Sequence, residues 1–208
     1  MERSRSVPFL DNMTSDLPRR LREETAELHR GVEDAVDLPA SVRTRGDYAE
    51  LLGRFLDLHA HLERRLASPP WRVRWTQLGI DIARYARSDL LVADLTRLDA
   101  APSPRRPERL PPLRTFGEAL GCLYVLEGSS LGGRVLAPAI RSTVGDVPVS
   151  FLIGQGRRHP EPWQAVRQAL RLVDPREGDP VVLGARETFA AFGAHLRLGS
   201  ARVSGTAG

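Results

Sequence analysis

The chain has 208 residues, 41% hydrophobic and 27% charged, which suits one domain with a real core and leaves little room for a second. Thirty basic against 26 acidic side chains leave a formal charge of +4 spread along the chain, which argues against a nucleic-acid binder. No run approaches the roughly 20 apolar residues of a membrane span, and the single cysteine, Cys122, excludes an internal disulfide and a cysteine-rich metal site.

Residues 1–16 read as a flexible leader without the apolar stretch of a secretory signal, so a cytoplasmic location is expected. Residues 199–208, rich in Gly, Ser and Ala, read as a disordered tail, which leaves a domain over 17–198. Ser15 or Asp16 can cap a first helix, with Pro18 tolerated in its first turn. Leu17, Leu21, Thr25, Leu28, Val32 and Val36 recur at three- and four-residue steps and mark one face, and Pro39 is expected to end the helix.

Thr44 and Asp47 open a second helix with a capping box in which Asp replaces Glu; Leu51, Leu52, Phe55, Leu56, Leu62 and Leu66 supply its buried stripe. Pro69-Pro70 breaks the chain, a third helical region covers 80–98, and the Pro- and Arg-rich stretch 101–112 is expected to be an exposed, mobile loop. A long apolar segment follows at 115–141, then a connection punctuated by Gly and Pro at 151–162, then helices near 163–173 and 181–198. There is no internal repeat and no alternating pattern long enough for a sheet. The predicted fold is all-α, one domain of six or more helices.

His29 follows Leu28 by one residue, about 100° around the first helix, at the edge of the apolar stripe. Glu33, four residues on, shares its face and lies within side-chain reach. A metal-ligating imidazole commonly donates its second ring N–H to a carboxylate, and Glu33 stands where it can accept that bond. The same spacing also describes an ordinary pair on a helix surface, so these two residues alone decide nothing.

Gly128, Gly132 and Gly133 cluster in a segment whose flanks favour helix, at a cost of roughly 1 kcal/mol each relative to Ala. Gly128 and Gly132 share a face, so something flat can approach the backbone there, and Gly and Ser are where helices kink. A close helix–helix crossing through small residues accounts for the same pattern. A porphyrin-sized ligand is the alternative, and it needs a metal ligand on a facing helix, for which His29 is available.

Taken together, the two stretches resemble one family. Residues 21–33, with Thr25, His29 and Glu33, resemble the proximal helix of bacterial biliverdin-producing haem oxygenases. The run Leu123-Tyr124-Val125-Leu126-Glu127-Gly128-Ser129-Ser130-Leu131-Gly132-Gly133 is similar to their distal helix, especially in the type associated with bacteriophytochromes. Fainter echoes lie at 151–156 with Trp163 and at 189–196, so the resemblance spans 17–198.

The resemblance implies a helical bundle with haem sandwiched between a proximal helix and a kinked distal one, its iron held by neutral His29. It implies cleavage of haem at a meso carbon to biliverdin, CO and ferrous iron, with O2 as co-substrate and electrons from a ferredoxin or flavoprotein reductase. Gly128, Ser129 and Gly132 would form the catalytic distal face, where backbone presses on oxygen and ordered waters deliver protons. Arg22, Thr25, Glu33, Tyr124, Gly133 and Arg167 would surround the haem. An apo-bacteriophytochrome is the implied recipient of biliverdin, with iron acquisition as the other purpose.

Ser129 stands where some members of the family carry Asp, a substitution shared with the phytochrome-associated type. All thirty basic residues are Arg, so the lysines that often meet haem propionates are absent. Arg22, two turns before His29 on the same face, is the expected substitute, with Arg167 or Arg171 as further candidates; Gln155 stands where relatives often have Tyr.

Of the other histidines, His59 and His61 are two apart and cannot face one metal from a regular helix, so both are expected at the surface or partly buried; His159 is expected in solvent, and His195 as a satisfied core or edge residue. Cys122 is expected to be inert packing, and Trp71, Trp75 and Trp163 to fill helix junctions. Three rivals stand beside the oxygenase reading. A haem carrier would keep His29 without needing the glycines. A di-iron oxidase would show Glu-x-x-His, yet no histidine here has Asp or Glu three residues before it. A cysteine hydrolase would need an activated thiol, whereas Cys122 has Gly121 and Leu123 as neighbours.

Overall fold

A computed structural model describes residues 16–154 and 160–197, and within them the chain forms eight α-helices, two short 3₁₀ turns and no strand. The leader up to Ser15, the segment carrying Gln155, Gly156 and His159, and the 199–208 tail lie outside the described residues. Among the described residues no helix is long and apolar enough to cross a membrane.

Helix α1, Leu17–Val36, starts at Asp16, whose carboxylate is engaged by Arg19 rather than by the helix amides. It ends three residues ahead of Pro39: Asp37 turns left-handed at φ 47° and its N–H closes on the Glu33 carbonyl. Helix α2, Arg45–Leu66, begins with the predicted capping box. The Thr44 hydroxyl accepts from the Asp47 amide at 3.1 Å, and the Asp47 carboxylate accepts from the Thr44 amide at 2.9 Å.

Pro69-Pro70 starts a helix as well as ending one. Helix α3, Pro69–Gln77, places both prolines in its first turn, where their missing N–H groups have no helical partner anyway. The region 80–98 is correspondingly not one helix. Asp81 accepts from the Ala83 amide and tightens Ile82–Tyr85 into a 3₁₀ turn, and helix α4 begins afresh at Ser88–Arg97. The first amides of α4 are capped from another helix: the Glu63 carboxylate accepts from Arg87 N–H at 2.8 Å and Ser88 N–H at 3.2 Å. The 101–112 stretch is irregular as expected, but it is pinned. Asp57 takes the Arg105 amide at 2.5 Å, and the Arg65 guanidinium donates to the carbonyls of Pro111 and Pro112.

Helix α5, Phe116–Val144, is capped by Thr115 and runs through the glycine cluster and past Pro138. Helices α6 (Ser150–Ile153), α7 (Pro160–Leu172) and α8 (Gly178–His195) complete the bundle. The most extensive contact is between α5 and α8. A methyl group on Gly121 would strike the Val181 carbonyl, and one on Gly184 would strike the Glu118 backbone, so these glycines let the two helices cross closely. Helices α7 and α8 each pack on both α1 and α5, while α1 and α5 hardly touch one another.

His59 corrects the sequence expectation: it is 1% exposed. Its Nδ1–H donates to Glu63 at 2.9 Å, and its ring sits among Phe55, Phe151 and Phe192. Burial of an imidazole is tolerable here because a carboxylate one turn away on the same helix accepts its proton donor. His195 bonds to Asp57 at 3.0 Å and ties the end of α8 to α2.

Candidate functional site

His29 stands half in solvent on α1, with 53% of its side chain exposed. Its Nδ1 lies 3.4 Å from a Glu33 carboxylate oxygen, and its ring meets Phe189 of α8 edge-on, 5.6 Å between centroids at 75°. Among the described residues nothing bonds Nε2. In the tautomer that puts the proton on Nδ1, toward Glu33, that nitrogen offers its lone pair outward.

Tyr124 lies one turn before Gly128 on α5, half-buried. Burial raises the pKa of its phenol, and the positive charge of Arg22 and the Thr25 hydroxyl on α1 pull it partly back. Thr25 itself is buried and donates to the Leu21 carbonyl at 2.7 Å. Arg22 has no ion pair among the described residues, unlike Arg19 and Arg20, which hold Asp16, Glu23, Glu24 and Asp179. Arg167 and Arg171 are likewise exposed without a carboxylate, on α7.

The glycine cluster divides by direction. A Cβ on Gly133 would lie 2.5 Å from the Leu152 carbonyl, so that glycine is required by the packing of α5 on α6, as the small-residue crossing would have it. The missing side chain of Gly133 thus serves the close approach of α5 and α6. A Cβ on Gly128 would meet only the benzo edge of Trp163, at 3.6 Å, and one on Gly132 would meet nothing within 4 Å. Close to Gly132 on the same helix, Leu131 and Val135 are 40% and 78% exposed, leaving an apolar strip of helix bare.

Ser129 is exposed and Ser130 buried, and both hydroxyls donate back to their own helix, to the Leu126 and Glu127 carbonyls at 2.8 and 2.6 Å. Such back-bonding bends helices. Cys122, fully buried, has its thiol pKa pushed up to about 12 by burial.

Sequence reasoning did not connect Phe189 with His29, or Trp163 with Gly128, because those contacts join residues far apart in the chain. It had the signal for Leu131 and Val135, which lie three and seven residues after Gly128, the spacing of one helix face. Among the described residues no three His, Cys, Asp or Glu converge as a metal cluster, which leaves ligation by a single histidine as the form of metal site His29 can offer.

No protein-family model matches the chain, and no curated protein matches its sequence. Among solved structures it is similar to the haem oxygenase of Neisseria meningitidis, described with NO and CO bound, at a TM-score of 0.71 over 87% of this chain and 90% of that one. This chain has the haem oxygenase fold. Sequence identity between the two is 24%, so the shared haem oxygenase fold is a statement about helix arrangement, and chemistry has to be argued from the residues of this chain.

Proposed function

We propose that this chain is a haem oxygenase, cleaving haem to biliverdin, CO and ferrous iron with O2 and externally supplied electrons. The observation that carries the reading is a pair of unfilled positions on the two helices that α7 and α8 separate: the unbonded Nε2 of His29 and the open Cβ direction of Gly132. A planar macrocycle carrying a metal would suit these residues, because one helix supplies a nitrogen donor and the other a backbone approachable at van der Waals distance.

His29 binds iron through Nε2, and Glu33 holds the Nδ1 proton, which fixes the tautomer and raises the basicity of the ligand. The edge of Phe189 limits rotation of the imidazole. Haem, which is also the substrate, supplies oxygen activation and the meso carbon that is oxidised. On the opposite side Gly132 keeps a Cβ atom out of the space where oxygen reacts, while the Cβ direction of Gly128 meets the Trp163 indole at the edge of that space. The Ser129 hydroxyl donates to Leu126 and so keeps its oxygen lone pairs for ordered water, the relay by which protons enter. Arg22 and Arg167, exposed and without an ion pair among the described residues, hold the propionates.

Electrons come from a ferredoxin or flavoprotein reductase in the cytoplasm. Kinship to the bacteriophytochrome-associated type rests on the Ser129-Ser130 motif and makes an apo-bacteriophytochrome the recipient of biliverdin. The test is an absorption titration with haemin followed by ascorbate under air. One-to-one binding with a Soret band that decays to biliverdin, absent in His29→Ala, supports the proposal. A stable Soret band without decay makes the chain a haem carrier, and failure to bind haemin removes haem from the account.

A further inference from the structure

We propose that the Trp163 indole is the wall that fixes how the tetrapyrrole is seated in its own plane, and so which edge of the ring faces the reacting oxygen. This rests on the haem reading above. An axial bond from His29 to iron does not restrain rotation about that bond, and the macrocycle has near four-fold shape. In-plane seating therefore has to come from contacts away from the axis.

Among the described residues such a contact stands at one of the two glycines. At Gly128 the indole stands 3.6 Å from the Cβ position, whereas one turn later, at Gly132, nothing stands within 4 Å. The face that receives the ligand is thus closed at the Gly128 end and open at the Gly132 end.

Trp163 is held where it is. Its ring lies 5.4 Å from that of Tyr124, tilted by 36°. The indole thus lies along the row of α5 from Tyr124 to Gly128, four residues apart on one face. A bulky aromatic side chain with two torsions, packed against another ring, is a stiff stop. A steric stop on one side breaks the four-fold equivalence of the ring.

The experiment compares wild type, Trp163→Phe and Trp163→Ala after loading each with ferric haemin. Proton NMR of the haem methyl groups reads the populations of seating, and affinity is measured in parallel for an iron porphyrin bearing one meso-phenyl group. Wild type should show one dominant seating and discriminate against the phenyl porphyrin. Trp163→Ala should show several seatings and bind the phenyl porphyrin more tightly than wild type does, on the order of tenfold. Trp163→Phe, which keeps a ring and guards against a folding defect in the alanine variant, should lie between.

Unchanged methyl shifts and unchanged discrimination in both variants overturn the proposal while leaving haem binding intact. Failure of wild type to bind haemin overturns the proposed function and this inference together. The two failures are therefore distinct.

Discussion

Gly132 and Gly133 are adjacent in sequence and opposite in surroundings: a Cβ on Gly133 would stand 2.5 Å from the Leu152 carbonyl, and a Cβ on Gly132 would touch nothing within 4 Å. One glycine is required by the fold. The other costs the fold stability and gains it no contact, which is the behaviour of a residue kept for a ligand.

Alanine at the two positions should therefore move stability in opposite directions. Gly132→Ala should stabilise the haem-free protein by about 1 kcal/mol through helix propensity, while weakening haemin binding or turnover. Gly133→Ala should destabilise by roughly 1–3 kcal/mol, since Leu152 has to shift. Urea unfolding and a haemin titration check both; a Gly132→Ala variant with full affinity and full turnover would sink the role given to that glycine.

His29 separates function from stability in the same way. With its ring half exposed, His29→Ala should change unfolding free energy by no more than about 0.5 kcal/mol yet abolish the Soret band. Glu33→Gln keeps an acceptor but loses the charge, and ferric haem affinity should fall by about tenfold. Parallel thermal melts and haemin titrations read the two effects independently.

The Glu63 carboxylate makes a pH prediction. Burial raises its pKa, but the hydrogen bond and charge of His59, the Ser88 hydroxyl and the Arg87 amide outweigh burial and hold it below the ordinary carboxylate value. A folded-state pKa below the unfolded one means the contribution is complete above the unfolded carboxylate range. It is lost as pH falls through the folded value. Glu63→Gln should cost about 1–3 kcal/mol at neutral pH and flatten the acid limb of the stability profile. Urea midpoints measured from neutral to acid pH test this, and an unchanged acid limb would contradict it.

Cys122 should be silent in the native protein. Burial raises the thiol to about 12, outweighing small opposing effects of Thr188 and Arg65, and no part of the residue reaches solvent. A disulfide reagent should label one thiol per chain in denaturant and almost none without it. Rapid labelling of the folded protein would mean that the α5–α8 crossing opens readily.

The legible parts of the sequence were those that helix geometry writes locally. The steps from Leu17 to Val36 and the Thr44–Asp47 capping box both announced their helices, since caps and periodicity concern residues within a turn or two of each other. Helix α3 was hidden because Pro69-Pro70 reads as a breaker until it is known to occupy a first turn. The break before α4 was hidden because the amides of Arg87 and Ser88 are satisfied by Glu63, some 24 residues away. The full burial of His59 is not legible from its own helix, because the rings that bury it come from α6 and α8 as well.

By itself the sequence determined the helical class, the pairing of His29 with Glu33 and the existence of a glycine cluster on one helix. Each of these follows from spacing along 3.6 residues per turn. Tertiary structure alone decided that Gly133 is closed by Leu152, that Gly128 lies under Trp163 and that Gly132 is open. The reason is physical: a missing Cβ looks the same in any glycine, and its meaning lies in the atoms that other helices bring to that point.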